Sequence, residues 1–375
     1  MFYEEIIILH EYGAPAHYIG LVENLRRRGN DKKIRFYEFN IAKRILKSIV
    51  KLDKKLFFRS IRNLLWLSLT FIYPQINENK VIVIGMAPLD WRIIIISRIT
   101  KYARKVYHSS WTDWSGNDYP KKNVIFGVFF EKKWRAFLSN EVGAVAAVTE
   151  KTSSEIEKFT RGQTKFKSVV VYHSFDNVFS DNNKKSKPGN KPKGLGIIYI
   201  GRLVKQKGID KIIELAKVFP SHQFTIVGSG ELLPSLEQSN LKNINIAGFV
   251  SDKKLLAEIC SSNDIILLPS IRISGWEELF GISLIEAMSV GCIPIVSDYL
   301  GPKEILDKNT LLRTYVLAED DYVKEAINII HKLENDSDLL NVYREASCIC
   351  ASNFSLSEVS KKWGVVLNYV LNNRS

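Results

Sequence analysis

The sequence is short of cysteine, of long apolar runs and of acid. Its 375 residues hold four cysteines, Cys260, Cys292, Cys348 and Cys350, all in the second half. That is no disulfide framework of a secreted domain, and a reducing cytosol is the expected compartment. Cys348 and Cys350 stand in C-x-C spacing with no histidine beside them, so they read as small buried apolar residues rather than metal ligands. No stretch reaches the roughly 18 apolar residues that a membrane-spanning helix needs. The longest candidate, LLWLSLTFIY (64–73), is too short. The first residues, MFYEEIIILHEYGAP, lack a basic segment and carry Glu4 and Glu5 ahead of the apolar run, which reads as a first strand rather than a signal peptide. The expected protein is cytoplasmic, either soluble or peripheral on the inner face of the cell membrane. No D-x-D arrangement between strands offers a divalent-cation site, so no metal and no cofactor are expected. No aromatic–basic motif of the kind that stacks bases is present, and nucleic acid is not an expected partner.

Acid is scarce unevenly. Residues 1–150 hold 25 Lys and Arg against 14 Asp and Glu, whereas residues 201–375 hold 18 against 22. A basic first part joined to a mildly acidic second part implies that the first faces something anionic, and charge alone does not choose among nucleic acid, phospholipid and a phosphorylated acceptor.

Short runs rich in β-branched residues recur along the chain. EIIILH (5–10), KIRFYEF (33–39), KVIVIGM (80–86), KVYHSSW (105–111), GAVAAVT (143–149) and SVVVYHS (168–174) are continuous rather than alternating, as suits strands buried on both faces of a parallel sheet. Helical patterns lie between them, among them HYIGLVENLRRRG (17–29). DNNKKSKPGNKPKG (181–194) has no aliphatic or aromatic residue and reads as a linker. GIIYIG (196–201), QFTIVG (223–228), NINIAG (243–248), DIILLPS (264–270) and IPIVS (293–297) then restart the pattern. The expectation is an α/β chain of two Rossmann-like, doubly wound domains facing across a cleft: residues 1–180, a linker 181–194, and residues 195–354, with a last helix in 355–375 returning to the first domain.

Chemistry concentrates in the second half. In GRLVKQKG (201–208), Gly201 turns the chain at a strand end, and Arg202 and Lys207 project over the carboxyl edge of the sheet, where two cations suit a diphosphate. As ordinary surface charges they would be solvated instead. VGSGE (227–231) repeats the strand-then-glycine pattern at Gly228, a weaker sign that a backbone approaches closely there. EELFGISLIEAMSVGCIPIVS (277–297) is more specific. Ile282 to Val290 reads as a helix stopped by Gly291, so Gly281 marks a helix start whose free N–H groups favour an anion. Glu286, in its second turn, can accept the vicinal hydroxyls of a ribose, and Glu278, in the loop before it, the hydroxyls of a sugar.

At these residues the chain resembles the retaining glycosyltransferases of family 4, which have the GT-B fold. The resemblance rests on the E-x7-E motif from Glu278 to Glu286, with GRLVKQKG, VGSGE, GFV (248–250), LLPS (267–270) and PIVS (294–297) in order. It covers about 195–310 well and the first half in outline. It implies a metal-independent, hexosyltransferase-type enzyme that moves a sugar, with retention, from a nucleotide-diphospho-sugar to a hydroxyl of a glycan or lipid-linked acceptor. Bacterial surface polysaccharide synthesis (lipopolysaccharide or capsule) or glycolipid synthesis is the implied setting. Arg202 and Lys207 would hold the pyrophosphate, Glu286 the ribose, and Phe249 and Val250 the base. Glu278, with the backbone of Phe280, Gly281 and Ile282, would address the transferred sugar. His108 corresponds to a histidine that reaches the sugar from the acceptor side, where Gly13 and His17 also lie. EYGAPAHYIG (11–20) lacks the paired glycines common there, and HSFD (173–176) stands where N-G-x-D is common. The alternatives are another enzyme on the same architecture, a nucleotide-sugar epimerase or phosphorylase, and a non-enzymatic nucleic-acid-binding protein.

One further stretch, AKRILKSIVKLDKKLFFRSIRNLLWL (42–67), has eight Lys and Arg and one Asp between 43 and 62. Ile45, Ile49, Leu52 and Leu56 recur at helical spacing. A helix with an apolar stripe beside a basic face suits an anionic membrane surface; the same pattern also suits a helix packed on its own domain with its charges in solvent.

Overall fold

A computed structural model describes residues 5–11, 16–30, 33–116, 125–183, 194–273 and 276–373. They form two compact units, Met1–His173 with Val359–Ser375, and Ser174–Glu358.

The first unit is built on strands β1 (Ile6–His10), β2 (Ile34–Glu38), β3 (Val81–Gly85), β4 (Arg104–Ser109), β5 (Ala144–Ala147) and β6 (Lys167–Val170). All are parallel, in the order β2-β1-β3-β4-β5-β6. Helices α1 (Ile19–Arg27), α2 (Ile41–Val50), α3 (Lys54–Ile72), α4 (Ile93–Ile99), α5 (Gly127–Glu141) and α6 (Glu150–Phe159) connect them. The continuous apolar runs have the meaning expected of them. Ile7, Leu9, Ile82 and Ile84 enter one core with Ile93, Trp134 and Phe137. Their neighbours Ile6, Ile8, Val81 and Val83 enter a second core on the opposite face, with Tyr18 and Leu21. Because a strand's side chains alternate, a strand covered on both faces must be apolar at every position.

The second unit repeats the plan with β7 (Gly196–Ile200), β8 (Gln223–Val227), β9 (Ile244–Gly248), β10 (Ile265–Leu268), β11 (Ile293–Ser297) and β12 (Val316–Leu317). These too are parallel, in the order β12-β11-β10-β7-β8-β9. Its helices are α7 (Asn177–Asn183), α8 (Ile209–Val218), α9 (Leu233–Gln238), α10 (Lys253–Ser261), α11 (Ile282–Ser289), α12 (Leu300–Leu306), α13 (Tyr322–Asn335) and α14 (Ser337–Ser352). The last helix, α15 (Leu356–Asn372), begins at the end of the second unit. From Val359 onward it belongs to the first, where Val359, Trp363, Val366 and Val370 fill the second core and Asn24 donates to the Ser360 carbonyl at 2.8 Å. Helix starts follow short polar residues: Asp53, Thr149, Asp252 and Asp336 each accept a first-turn backbone N–H, a cap worth about 1 kcal/mol.

Two features differ from the sequence expectation. The units divide between His173 and Ser174, ahead of the 181–194 stretch. Asp181 to Asn183 still belong to α7, which packs on α10 and α11; residues 184–193 lie outside the described residues. Residues 42–67 are not one helix but parts of α2 and α3, broken at Lys51–Asp53, where Leu52 has φ 52° and Asp53 caps the next helix. The expected stripe splits accordingly. Leu56 is buried, but Ile49 and Leu52 are exposed, while Ser48, Ser60, Asn63 and Thr70 turn inward. The Ser60 and Thr70 hydroxyls satisfy themselves on the Leu56 and Trp66 carbonyls, each at 2.8 Å.

The cysteines are free thiols: Cys260, Cys292 and Cys350 are buried and Cys348 is half-buried. Burial raises the Cys260 thiol well above its usual value and pushes Cys350 up to about 12.

Candidate functional site

At the carboxyl edge of the second sheet, backbones meet where only glycine fits. Gly201 donates to the Val227 carbonyl at 2.9 Å, Leu203 to that of Ser229 at 2.9 Å, and Gly228 to that of Gly248 at 2.8 Å. Gly228 sits at φ 151°, and a Cβ there would lie 1.8 Å from the Gly201 carbonyl oxygen. Gly208 begins α8 at φ 64°, where a Cβ would fall 2.0 Å from the Pro269 carbonyl oxygen. These contacts pin the loop that carries Arg202 and Lys207.

Lys207 is bonded to Glu278, both side chains being largely buried, and its ammonium lies 5.0 Å from the centre of the Trp276 ring. Arg202 is exposed; its carbonyl accepts the Tyr199 hydroxyl at 2.8 Å. Burial first, and then the Glu278 charge, raise that hydroxyl far above its usual value, while Arg202 opposes the rise, so both charges act on one point.

Glu278 is followed by a tight entry into α11. Phe280 is buried edge-on to Phe354 at 5.8 Å, and its backbone lies so close to Gly301 that a Cβ there would approach it to 2.4 Å. Gly301 in turn donates to the Glu278 carbonyl at 3.2 Å. Gly281 takes φ 98° at the head of α11 and brings no side-chain cap, so the amides of Ile282 and Ser283 are left to an external acceptor. Two cations and an uncapped helix start are chemically suited to a diphosphate.

Glu286, in the second turn of α11, is buried and receives Lys253, the first residue of α10, at 2.5 Å. Burial raises its carboxyl above the usual range; the Lys253 charge and hydrogen bond oppose this, and the Asp176 charge adds to it. Among the described residues no hydrogen bond or ion pair joins Glu286 to Arg202 or Lys207. Phe249, just past β9, is 75% exposed, an aromatic face open to a stacking partner, and Val250 is half-buried beside it.

In the first unit, His108 near the end of β4 is one of four histidines gathered at the carboxyl edge of the sheet. His17 and His173 stack at 4.4 Å; His108 lies 6.0 Å from His173, 4.9 Å from Tyr18 and 5.6 Å from Trp363; His10, at the end of β1, is 6.3 Å from His17. Burial and then the neighbouring imidazoles hold His108 and His173 well below the usual histidine value, so both are neutral at pH 7. Burial also lowers His17. Gly13 lies outside the described residues.

Sequence reasoning singled out His108 and His17 but missed His10 and His173, the first hidden in a strand end and the second inside the HSFD segment. It also missed Lys253, although Asp252 ahead of it marks a helix start. Among the described residues, no group of three or more His, Cys, Asp or Glu is placed to hold a metal ion.

Residues 180–348 match the family model for glycosyl transferases group 1, somewhat less than half of the chain. An "uncharacterized 41.2 kDa protein in cps region" of Klebsiella pneumoniae is 29% identical over 142 residues, 36% of this chain and 38% of that protein. The amylovoran biosynthesis glycosyltransferase AmsK of Erwinia amylovora is 25% identical over 171 residues, 43% of this chain and 41% of its own length. The chain thus spans less than half of the length of either relative. The crystal structure of Anabaena Alr3699/HepE in complex with UDP is 15% identical and covers 97% of this chain and 99% of that one, with a TM-score of 0.67. The two parallel six-stranded sheets are those of the GT-B fold of such glycosyltransferases.

Proposed function

We propose that this chain is a retaining, metal-independent glycosyltransferase of family 4 that transfers a hexosyl group from a nucleotide-diphospho-sugar to a hydroxyl of a glycan or lipid-linked acceptor. The reading is carried by one observation: Lys207 is paired with Glu278 three residues ahead of Gly281, where α11 begins uncapped. A diphosphate taken up there would meet a lysine, the exposed Arg202 and free helix amides, and the freed Glu278 carboxylate would accept hydroxyls of the attached sugar. Glu286 is assigned the ribose and Phe249 with Val250 the base. The neutral imidazole of His108 is assigned a sugar hydroxyl, and His17 the acceptor side.

In the step proposed, the bond between the anomeric carbon and the β-phosphate oxygen breaks and the acceptor oxygen bonds on the same face. The departing phosphate takes the acceptor proton. Charge develops on that phosphate, where Arg202, Lys207 and the α11 amides would stabilise it with no metal. The match of residues 180–348 to glycosyl transferases group 1 supports the reaction class. The relatives from a cps region and from amylovoran biosynthesis support surface polysaccharide as the setting, and the UDP complex of the Anabaena protein favours a uridine donor.

A thermal-shift panel of UDP-, GDP-, ADP- and dTDP-sugars tests this. One donor class is expected to raise Tm, and Glu286→Ala is expected to abolish the rise. No shift with any nucleotide sugar overturns the reading.

A further inference from the structure

The first unit carries a concave site at the edge of its sheet opposite the histidine cluster. A cavity of about 980 Å³ opens at the amino ends of β3 and β4, between the last turns of α4 and α5. Arg98, Lys101, Arg104, Lys105 and Lys133 line it, against the carboxylates of Glu78 and Glu141. Lys105 is buried, 3.9 Å from Glu141, and burial lowers its ammonium below the usual lysine value. The Nη1 of Arg104 is buried with no hydrogen-bond partner. That atom is closed off from the cavity itself; what the cavity offers an anion is its lining, five cations against two carboxylates.

The surroundings say which anion. Of the 25 large hydrophobic side chains exposed among the described residues, 19 lie between Leu46 and Phe129, all in the first unit. Leu65, Leu69 and Ile72 stand out on α3, Ile94 on α4, and Phe126 and Val128 at the start of α5. Helices α3, α4 and α5 pack side by side. Phe71, at the end of α3, both lines the cavity and lies 4.9 Å under the Arg98 guanidinium. Exposed Lys43, Lys47, Lys54, Lys55 and Arg62 of α2 and α3 add positive charge to the same hairpin. A free phosphate or sugar phosphate accounts for the cations and not for the apolar rim. A partner protein or a second copy accounts for the rim and not for the excess of cations lining the cavity. Among the described residues no helix is long and apolar enough to cross a membrane, so these side chains have no bilayer-spanning role.

We propose that this face docks on an anionic bilayer, with the phosphodiester headgroup of one phospholipid entering the cavity against Arg104, Arg98 and Lys101 while the exposed side chains of α3 and α5 sink between the acyl chains. The inference stands apart from the sugar-transfer reading, because it is tested without donor or acceptor.

The test is co-sedimentation of the full chain with vesicles of phosphatidylcholine alone or of phosphatidylcholine with phosphatidylglycerol. Binding is expected to the anionic vesicles and much less to the neutral ones. Lys101→Ala/Arg104→Ala is expected to weaken it on the order of 10- to 30-fold, following a contribution of about 1 kcal/mol for each cation at the surface. Lys217→Ala/Lys242→Ala, which removes the same charge from exposed sites of the second unit, is expected to change it little. Leu65→Asp/Ile72→Asp, on exposed positions and with folding checked by circular dichroism, is expected to abolish binding. Equal loss in the two lysine-containing double variants overturns the headgroup pocket. Equal binding to neutral and anionic vesicles overturns the charge selectivity, and absence of binding overturns the docking face. A dimer in light scattering that Leu65→Asp/Ile72→Asp dissociates assigns the face to a second copy and overturns the proposal.

Discussion

Lys207 donates to Glu278 across 71 positions of sequence, joining the cation assigned to the diphosphate to the carboxylate assigned to the sugar. In the chain without donor, each therefore holds the other in place, and a donor must exchange this ion pair for its own contacts with both.

That exchange makes the two residues separable by experiment. Lys207→Ala is expected to lower kcat by about 100- to 1000-fold, the usual cost of losing one preorganised group at a developing charge. Glu278→Gln is expected to lower kcat as well, yet to tighten binding of the free nucleoside diphosphate, because Lys207 no longer has to leave a carboxylate. Calorimetric titration of both variants checks the second expectation; weaker nucleotide binding to Glu278→Gln sinks it.

Glu286 offers a conflict between stability and function. Burial raises its carboxyl above the value near 4.5 that it has when unfolded. The stability it contributes is therefore present below that value and lost as pH rises through the folded one. Glu286→Gln removes that loss and leaves half-exposed Lys253 in water. The variant is expected to match or exceed the parent Tm at pH 7, with the difference closing toward pH 4, while its affinity for the nucleotide falls at least 10-fold. A Tm at pH 7 clearly below the parent's counts against this account of the pair.

The histidine cluster has the opposite sign. His108 and His173 are held below the value near 6.5 of an unfolded histidine, so their contribution is present above that value and lost as pH falls through the folded ones. The first unit is expected to lose stability below about pH 6.5, at most about 1.4 kcal/mol per pH unit for each histidine. His108→Gln and His173→Asn are each expected to flatten the acid side of a Tm-against-pH curve recorded by calorimetry. Curves parallel to the parent's would show that the acid loss arises elsewhere.

Two glycines with positive φ separate strain from collision. Gly29 lies at φ 67° with nothing within 4 Å of the place a Cβ would take, so Gly29→Ala is expected to cost about 1 kcal/mol. Gly228→Ala adds a collision with the Gly201 carbonyl and is expected to cost several times more, and to weaken nucleotide binding by shifting the Arg202 loop. Chemical denaturation of both variants reads the contrast, and equal losses would refute it.

Much of the fold was legible because it is written in neighbouring residues. Ile6 to Leu9 and Val81 to Ile84 are apolar at every position, which only a strand covered on both faces requires. The start of α11 was legible from Gly281, and the loop after β7 from Gly201. The hairpin of α2 and α3 was not. Its apolar periodicity suits a membrane face and a packed stripe alike, and only the break at Leu52, together with the inward turn of Ser60, Asn63 and Thr70, puts the larger side chains outside.

The succession of strands and helices along the chain, the capped helix starts and the loops that carry Arg202, Lys207, Glu278 and Glu286 were determined by the sequence alone, since each depends on steric and hydrogen-bonding preferences within a few residues. Which charges meet was decided only by tertiary structure. Lys253 reaches Glu286 from 33 positions away, four histidines converge from β1, β4 and the segments at His17 and His173, and Arg104 lines a cavity together with residues of α3, α4 and α5. Such meetings follow from strand register and helix packing, which bring together residues whose local sequences carry no trace of one another.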